Sequence, residues 1–491
     1  MRMLMGVSRA NSRPGWGIQV MHTAVGMVVF QILTFLSGLI VARNLGPEGQ
    51  GKFQLLMSIA AFSSIVIKLG LDEAVTYLIP KYRVRAPGKV FGLAIFSIAL
   101  PCMISLAVGL IFFVSAKDLE KNIFRIDGFA YDLRYLLGVL PSLTLLLMCM
   151  AVLRGLGRSD LRAYIFYYLV GGGFLGLVTL LSSNGLALRE TYVARLLSYL
   201  LGGGLGLYLV ARLTARGPLE LDLKELREAY KFAGLLLGVS IFQYLREQPL
   251  VDLIILSRIG TTEDVGVYSV AARLSSVVPL VANAMVIGGA STLAEIVASG
   301  NTTQQKAQYQ IASNWMAVLT TFVLFGCLAV MGELFAWLGP SYKAGIPFFV
   351  VLLVGAGVTG ITGFNAPMLL ASEYARYELL LSAIGVGAMA VFEILLGWAY
   401  GPIGVAVASS VVMALVSFAR WYICYRVFDL KISYKSLISA LIIAMIATGM
   451  FALSYRAYSL PWPSKIIVAG AVYFVVFAGL GRVAWSLGLL F

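Results

Sequence analysis

An all-α, polytopic membrane protein with about fourteen spanning helices is the fold class this sequence predicts, and three observations predict it. The 491 residues are 60% hydrophobic and only 12% charged, with a mean hydropathy of +0.90, too little polar surface to coat a soluble domain of this size. Apolar runs recur at the ~20 residues a helix needs to cross ~30 Å of hydrocarbon. A turn between two such runs is also repeated. Arg43-Asn44-Leu45-Gly46-Pro47-Glu48-Gly49-Gln50-Gly51-Lys52-Phe53 has a relative in Arg258-Ile259-Gly260-Thr261-Thr262-Glu263-Asp264-Val265-Gly266-Val267-Tyr268, and Gly260 follows Gly46 by 214 positions (260 − 46). Arg376 follows Arg162 by the same interval, each closing a turn between spans. A duplicated multi-helix lobe with its site between the copies is a common plan for secondary transporters.

The elements follow in order. Residues 1–17 carry arginines but no signal-peptide apolar region with a small-residue cleavage site, so they read as a cytoplasmic segment whose following helix is retained. An N-terminal lobe, 18–211, then holds spans at about 18–42, 52–79, 88–115, 132–153, 162–182 and 188–211. Residues 212–230 alternate leucines with charges and read as a linker ending in an interfacial amphipathic helix. The second lobe, 231–425, holds spans at about 231–257, 266–297, 311–338, 345–370, 377–399 and 402–425, and residues 434–491 add two more at about 435–455 and 464–481. Strands of a membrane barrel would alternate over ~10 residues, whereas Ile438 to Leu453 is apolar on every face.

The formal charge of +14 is explained by topology. Roughly 21 lysines and arginines fall on one side of the fourteen spans and roughly 11 on the other, which by the positive-inside rule places both termini in the cytoplasm; the expected location is the cytoplasmic (inner) membrane. Contact with anionic membrane lipids is a secondary use of that basicity, and no nucleic-acid partner is implied. Gly46 to Lys52 approaches a phosphate loop, but Phe53 stands where that loop needs a hydroxyl and no strand precedes it. His22 is the single histidine, and the four cysteines sit in or beside spans with no chelating spacing. No enzyme, no cofactor, no metal and no disulfide framework is expected.

Function is expected at ionisable residues inside spans, because a charge in hydrocarbon costs ~2.5–3.5 kcal/mol on insertion scales and turns toward protein or water. In the seventh span Arg246, Glu247 and Asp252 surround Pro249, which removes a backbone donor, and Arg273 in the eighth has no acidic neighbour three or four positions away. Arg246 and Arg273, with Lys68 as a third positive centre, are the candidate contacts for an anionic, diphosphate-bearing cargo, since guanidinium groups grip phosphates bidentately and stay charged. Asp72, Glu247, Asp252 and Glu393 are candidates for cation coupling. Lys68 and Asp72, four apart on one helix face, also read as a self-neutralising pair. Glu295, Glu333 and Arg420 lie near span ends and read as interfacial. The clusters Gly171-Gly172-Gly173 and Gly202-Gly203-Gly204 read as sites of close helix approach.

Leu39 to Gly51, Leu69-Gly70-Leu71 and Tyr77-Leu78-Ile79-Pro80, followed by Asp252 to Leu256 and Val265 to Leu274, resemble the two lobe openings of the polysaccharide transporters, the lipid-linked oligosaccharide (O-antigen, Wzx-type) flippases of the multidrug/oligosaccharidyl-lipid/polysaccharide exporter superfamily. The resemblance implies two six-helix lobes around a cationic cavity that exchanges inward-open and outward-open states. It also implies a polyprenyl-pyrophosphate-linked oligosaccharide as cargo, with Arg273 on a basic position of the second-lobe motif. Lys68 departs from the acidic residue common before Leu-Gly-Leu. The last two helices would form a groove for the polyprenyl tail, and a glycan polymerase and other glycan-assembly proteins are the implied partners. Competing readings are a cation-coupled multidrug antiporter of the same superfamily, a peptidoglycan-precursor flippase, and a scaffold of a glycan-assembly complex that transports nothing.

Overall fold

A computed structural model describes residues 16–86, 88–183, 185–214, 223–279, 302–370, 372, 374–429, 434–457 and 462–486. Every regular element among them is helical. Eleven of the helices are long and apolar enough to span a bilayer, so the chain is a multi-pass membrane protein built as its composition predicts.

The first helix, α1 (Trp16–Ile67), contains the first predicted span and most of the second. They meet at Gly46, whose φ of 67° and ψ of 178° break the helix where a Cβ would be strained. Pro47 follows at the start of the second limb, where its missing N–H costs nothing. That limb runs on until Leu69 and Gly70 turn to positive φ, after which α2 (Leu71–Arg85) completes the predicted second span. The first half continues with α3 (Lys89–Leu119), the short α4 (Phe129–Leu133) and α5 (Leu136–Gly155). Then come α6 (Ser159–Ala163) and α7 (Gly171–Ser182), joined by the wide turn Tyr164–Val170, and α8 (Leu188–Leu213). The glycine clusters act as read: a Cβ on Gly171 would come within 2.9 Å of Phe30, and one on Gly203 within 3.2 Å of Leu145.

The predicted seventh span is two helices, α9 (Leu223–Glu247) and α10 (Leu250–Ile259), broken at Pro249. This is the expected effect of a proline that neither donates nor lets the preceding turn continue. Thr261 caps α11 (Thr262–Ser275) by accepting from the Asp264 N–H. The remaining members are α12 (Thr302–Leu338), α13 (Ile346–Ile361), α14 (Asn365–Leu370), α15 (Ala375–Tyr400), α16 (Pro402–Phe428), α17 (Tyr434–Ala457) and α18 (Trp462–Ser486). The last two pair with each other and lean on α12, where Phe322 packs among Tyr473, Phe474 and Phe477.

The halves meet chiefly where α1 packs on α11. The Tyr342 hydroxyl donates to the Ala42 carbonyl at 2.8 Å and the Tyr244 hydroxyl to the Ser58 carbonyl at 3.0 Å. The repeated turns pack on one another: a Cβ on Gly51 would lie 2.7 Å from the Thr262 carbonyl oxygen, and one on Gly266 would fall within the Pro47 carbonyl. Glycine at 51 and 266 is therefore what lets two backbones touch at this end of the bundle.

Candidate functional site

Away from that sealed end, α1, α9, α10, α11, α13, α15 and α16 surround a cavity of about 1030 Å³. Its wall is mixed: Phe35, Leu352 and Met389 alternate with Gln54, Gln243, Thr359 and Ser417. The charged residues on it are Arg246, Arg273, Arg420, Asp252 and Glu378.

Arg246 stands in the last turn of α9, immediately before the break at Pro249. It is buried, donates to the Ser382 hydroxyl at 2.9 Å, and has a Glu378 carboxylate oxygen 3.9 Å away. Arg420 donates to both oxygens of Glu378, its Nε at 2.8 Å. One buried carboxylate thus faces two buried guanidinium groups on the cavity wall. The position of Arg420 corrects the interfacial reading. It is 6% exposed, because α15 packs against α16 there and brings Glu378 to pair with it.

Arg273 extends from the end of α11 across α1, where Gly38 leaves room for the guanidinium and any Cβ would collide with it. Its Nη2 donates to the neutral Gln54 side chain at 2.5 Å. Among the described residues no carboxylate forms an ion pair with it. Its charge is accordingly available to an anion in the cavity.

The carboxylates gather one layer behind. Asp252, on α10, accepts from the Tyr268 hydroxyl, and the Ser409 Oγ lies 2.9 Å from Asp252 Oδ2 and 2.7 Å from Glu393 Oε1. One hydroxyl hydrogen cannot serve both acids, so the trio is satisfied only when one carboxyl carries a proton. Asp252 Oδ1 and Glu393 Oε2 are buried without hydrogen-bond partners, and Asp252 and Ser409 also line the cavity. No group of three or more metal-ligating side chains occurs among the described residues.

Of the residues singled out by sequence, Arg246, Arg273 and Asp252 come together on the cavity wall and Glu393 joins them through Ser409. Lys68 and Asp72 do not line it. They pair with each other at 2.6 Å beside the break at Leu69. The Glu247 side chain and all of Glu295 lie outside the described residues, as does the side chain of His22. Glu378, Ser382, Ser409, Gln54 and Gly38 escaped the sequence reading. Glu378 sits in the first turn of its helix, where an acid ordinarily answers the helix dipole, and the others have no neighbours in sequence that set them apart.

The profile of a family described as polysaccharide biosynthesis protein matches residues 19–291, more than half of the chain. No curated protein matches the sequence significantly. Among solved structures, the fold is similar to the lipid II flippase MurJ in an inward closed conformation, with a TM-score of 0.69 and 13% identity over 94% of this chain and 98% of that one. It is also similar to an inward-facing multidrug resistance MATE family transporter of the MOP superfamily, at 0.68 and 16% over 83% and 98%. A single-site mutant of the Vibrio cholerae MATE transporter VcmN gives 0.55 and 16% over 84% and 98%.

Proposed function

The chain belongs to the polysaccharide biosynthesis protein family, and from that premise we propose that it is a flippase carrying a polyprenyl-pyrophosphate-linked oligosaccharide across the cytoplasmic membrane by alternating access, its termini in the cytoplasm. The observation that carries the reading is Arg273, half-buried on the wall of a 1030 Å³ cavity and held by a neutral glutamine. Arg246 lies on the same wall. In this mechanism the diphosphate enters between Arg273 and Arg246, whose donors replace its lost hydration, while the sugars fill the polar part of the cavity and the tail stays in lipid along α17 and α18. Closure on the cargo parts the turns at Gly46 and Gly260 and opens the other face. A membrane potential, negative inside, favours the outward movement of anionic charge by ~2.3 kcal/mol per charge per 100 mV.

The Asp252, Ser409 and Glu393 trio supplies a second source of work in this reading. Its shared proton leaves for the cytoplasm as the cavity reorients, and one returns from outside, so each cycle exchanges a proton for cargo. A glycan polymerase would receive the product.

The test is a reconstituted vesicle containing a fluorescent short-chain polyprenyl-diphosphate oligosaccharide, with headgroup exposure followed by quenching. Arg273→Gln is expected to slow translocation at least about tenfold, the worth of one or two charge-assisted hydrogen bonds. An unchanged rate overturns the reading. Faster movement of a lipid-linked peptidoglycan precursor, or of a cationic dye, reassigns the cargo to the substrate named for the MurJ flippase or to the drug class of the MATE transporters.

A further inference from the structure

A second cavity, of about 620 Å³, opens at the end of the bundle that carries the Gly46 turn, between the end of α3, residues 120–128 and α4 with Arg134 at its end. We propose that it is a binding site for the phosphate of an anionic membrane lipid, separate from the central cavity.

The charge balance is the first argument. Lys117, Lys121, Arg125 and Arg134 line the cavity against Glu120 and Asp127. Glu120 is committed elsewhere, since its carboxylate accepts the Gly128 N–H at 3.3 Å and also the Ala130 N–H, tying down the start of α4. Among the described residues Lys117, Lys121 and Arg125 form no ion pair. The cavity is therefore cationic, with donors to spare.

The second argument is preorganisation. The Arg134 guanidinium lies 5.4 Å from the Phe113 ring centre and 5.5 Å from that of Tyr131, and its buried Nε has no hydrogen-bond partner. Two rings fix its plane and leave its donors unspent. Residues 120–128 are also anchored from below: Arg258, beside the second repeated turn, donates to the carbonyls of Asn122 at 2.6 Å and Ile123 at 2.8 Å. Such a site does not have to order itself on binding.

Its depth selects a lipid rather than a soluble anion. Ile111 and Val114 on α3 are exposed apolar residues facing lipid, and Lys121 follows Val114 by seven residues, about 10 Å along the helix. The basic groups thus stand where hydrocarbon gives way to headgroups. Exposed Tyr131 belongs at the same level.

The experiment is native mass spectrometry of the full chain released from membranes of equal phosphatidylglycerol and phosphatidylcholine. Wild type is expected to retain phosphatidylglycerol selectively, and each basic residue removed should cut retention about fivefold, so that Lys121→Glu with Arg125→Glu abolishes selectivity and Arg134→Gln weakens it. Arg273→Gln, in the central cavity, is expected to retain as much as wild type, so this result stands or falls independently of the cargo reading. Equal retention of both lipids, or retention unchanged in the double variant, overturns the proposal. Complete displacement by inorganic phosphate overturns its lipid part, because the site would then take the free anion. Lys121 and Arg125 are exposed, and thermal unfolding of the double variant at the wild-type temperature confirms that it folds.

Discussion

The two halves of the chain carry related glycine turns and differ in where they keep their charges. In the first half the described ion pairs keep some solvent access, from Lys68 with Asp72 at 2.6 Å to Arg154 with Glu73 at 2.9 Å, whose side chains are about one third exposed. In the second half Arg246, Glu378 and Arg420 form a network in which no side chain exceeds 7% exposure, and Asp252 and Glu393 are buried beside it. The related turns therefore specify backbone geometry, and the charged residues of the cavity wall all lie in the second half. Surface pairs of the first kind contribute little because water screens them. Buried groups of the second kind are costly to disturb because nothing else can solvate the partner left behind.

The largest expected effect follows from that contrast. Glu378→Gln strips the carboxylate that Arg420 grips and Arg246 faces, and breaking such a buried network costs about 3–5 kcal/mol. Thermal unfolding in detergent should show a large loss for this variant. Restoration by Arg420→Met in the same chain is expected, because an apolar side chain needs no counter-charge. A stability equal to wild type in Glu378→Gln would show that water already reaches the network and that the contrast between halves is only one of burial.

A smaller effect separates the two turns of the repeat. Gly266→Ala places a Cβ against the Pro47 carbonyl, so the turns must part, at about 1–3 kcal/mol for overpacking. Spin labels at Glu48 and Glu263 should report a longer separation and a population open at that end. Gly46→Ala meets no atom within 4 Å and carries only the strain of its φ of 67° and ψ of 178°, about 1–3 kcal/mol, so the label distance is expected to stay unchanged. If both variants lengthen it alike, the contact at Gly266 does not hold this end shut.

The same distinction governs how much of the molecule was legible in its sequence. Length and hydropathy sufficed for helices, because spanning a bilayer admits few alternatives, and the glycine turns marked where α1 breaks and where α10 ends. Pro249 announced the break beside Arg246. Arg246 and Arg273 stood out because a lone cation in an apolar run must have a destination. Glu378 did not, since an acid at a helix start has an ordinary local explanation, and only tertiary packing brings α16 and Arg420 against it. Lys68 illustrates the converse: its spacing from Asp72 was visible, but the spacing alone did not decide between a cavity contact and the self-paired arrangement found at 2.6 Å.

The smallest expected effect is Glu73→Gln. Arg154 keeps its 3.0 Å hydrogen bond from Nε to the Thr76 hydroxyl when the carboxylate is replaced, and a glutamine oxygen can still accept from Nη2. Both side chains of the pair are about one third exposed, so screening removes most of the Coulomb term and the loss should be about 0.5 kcal/mol or less. Unfolding temperatures of Glu73→Gln and wild type should then agree to within a degree or two, and cargo translocation should be unaltered because Glu73 lies off the cavity wall. A loss comparable with that of Glu378→Gln would mean that the first half also depends on an internal charge network, and that burial alone does not decide which pairs hold this protein together.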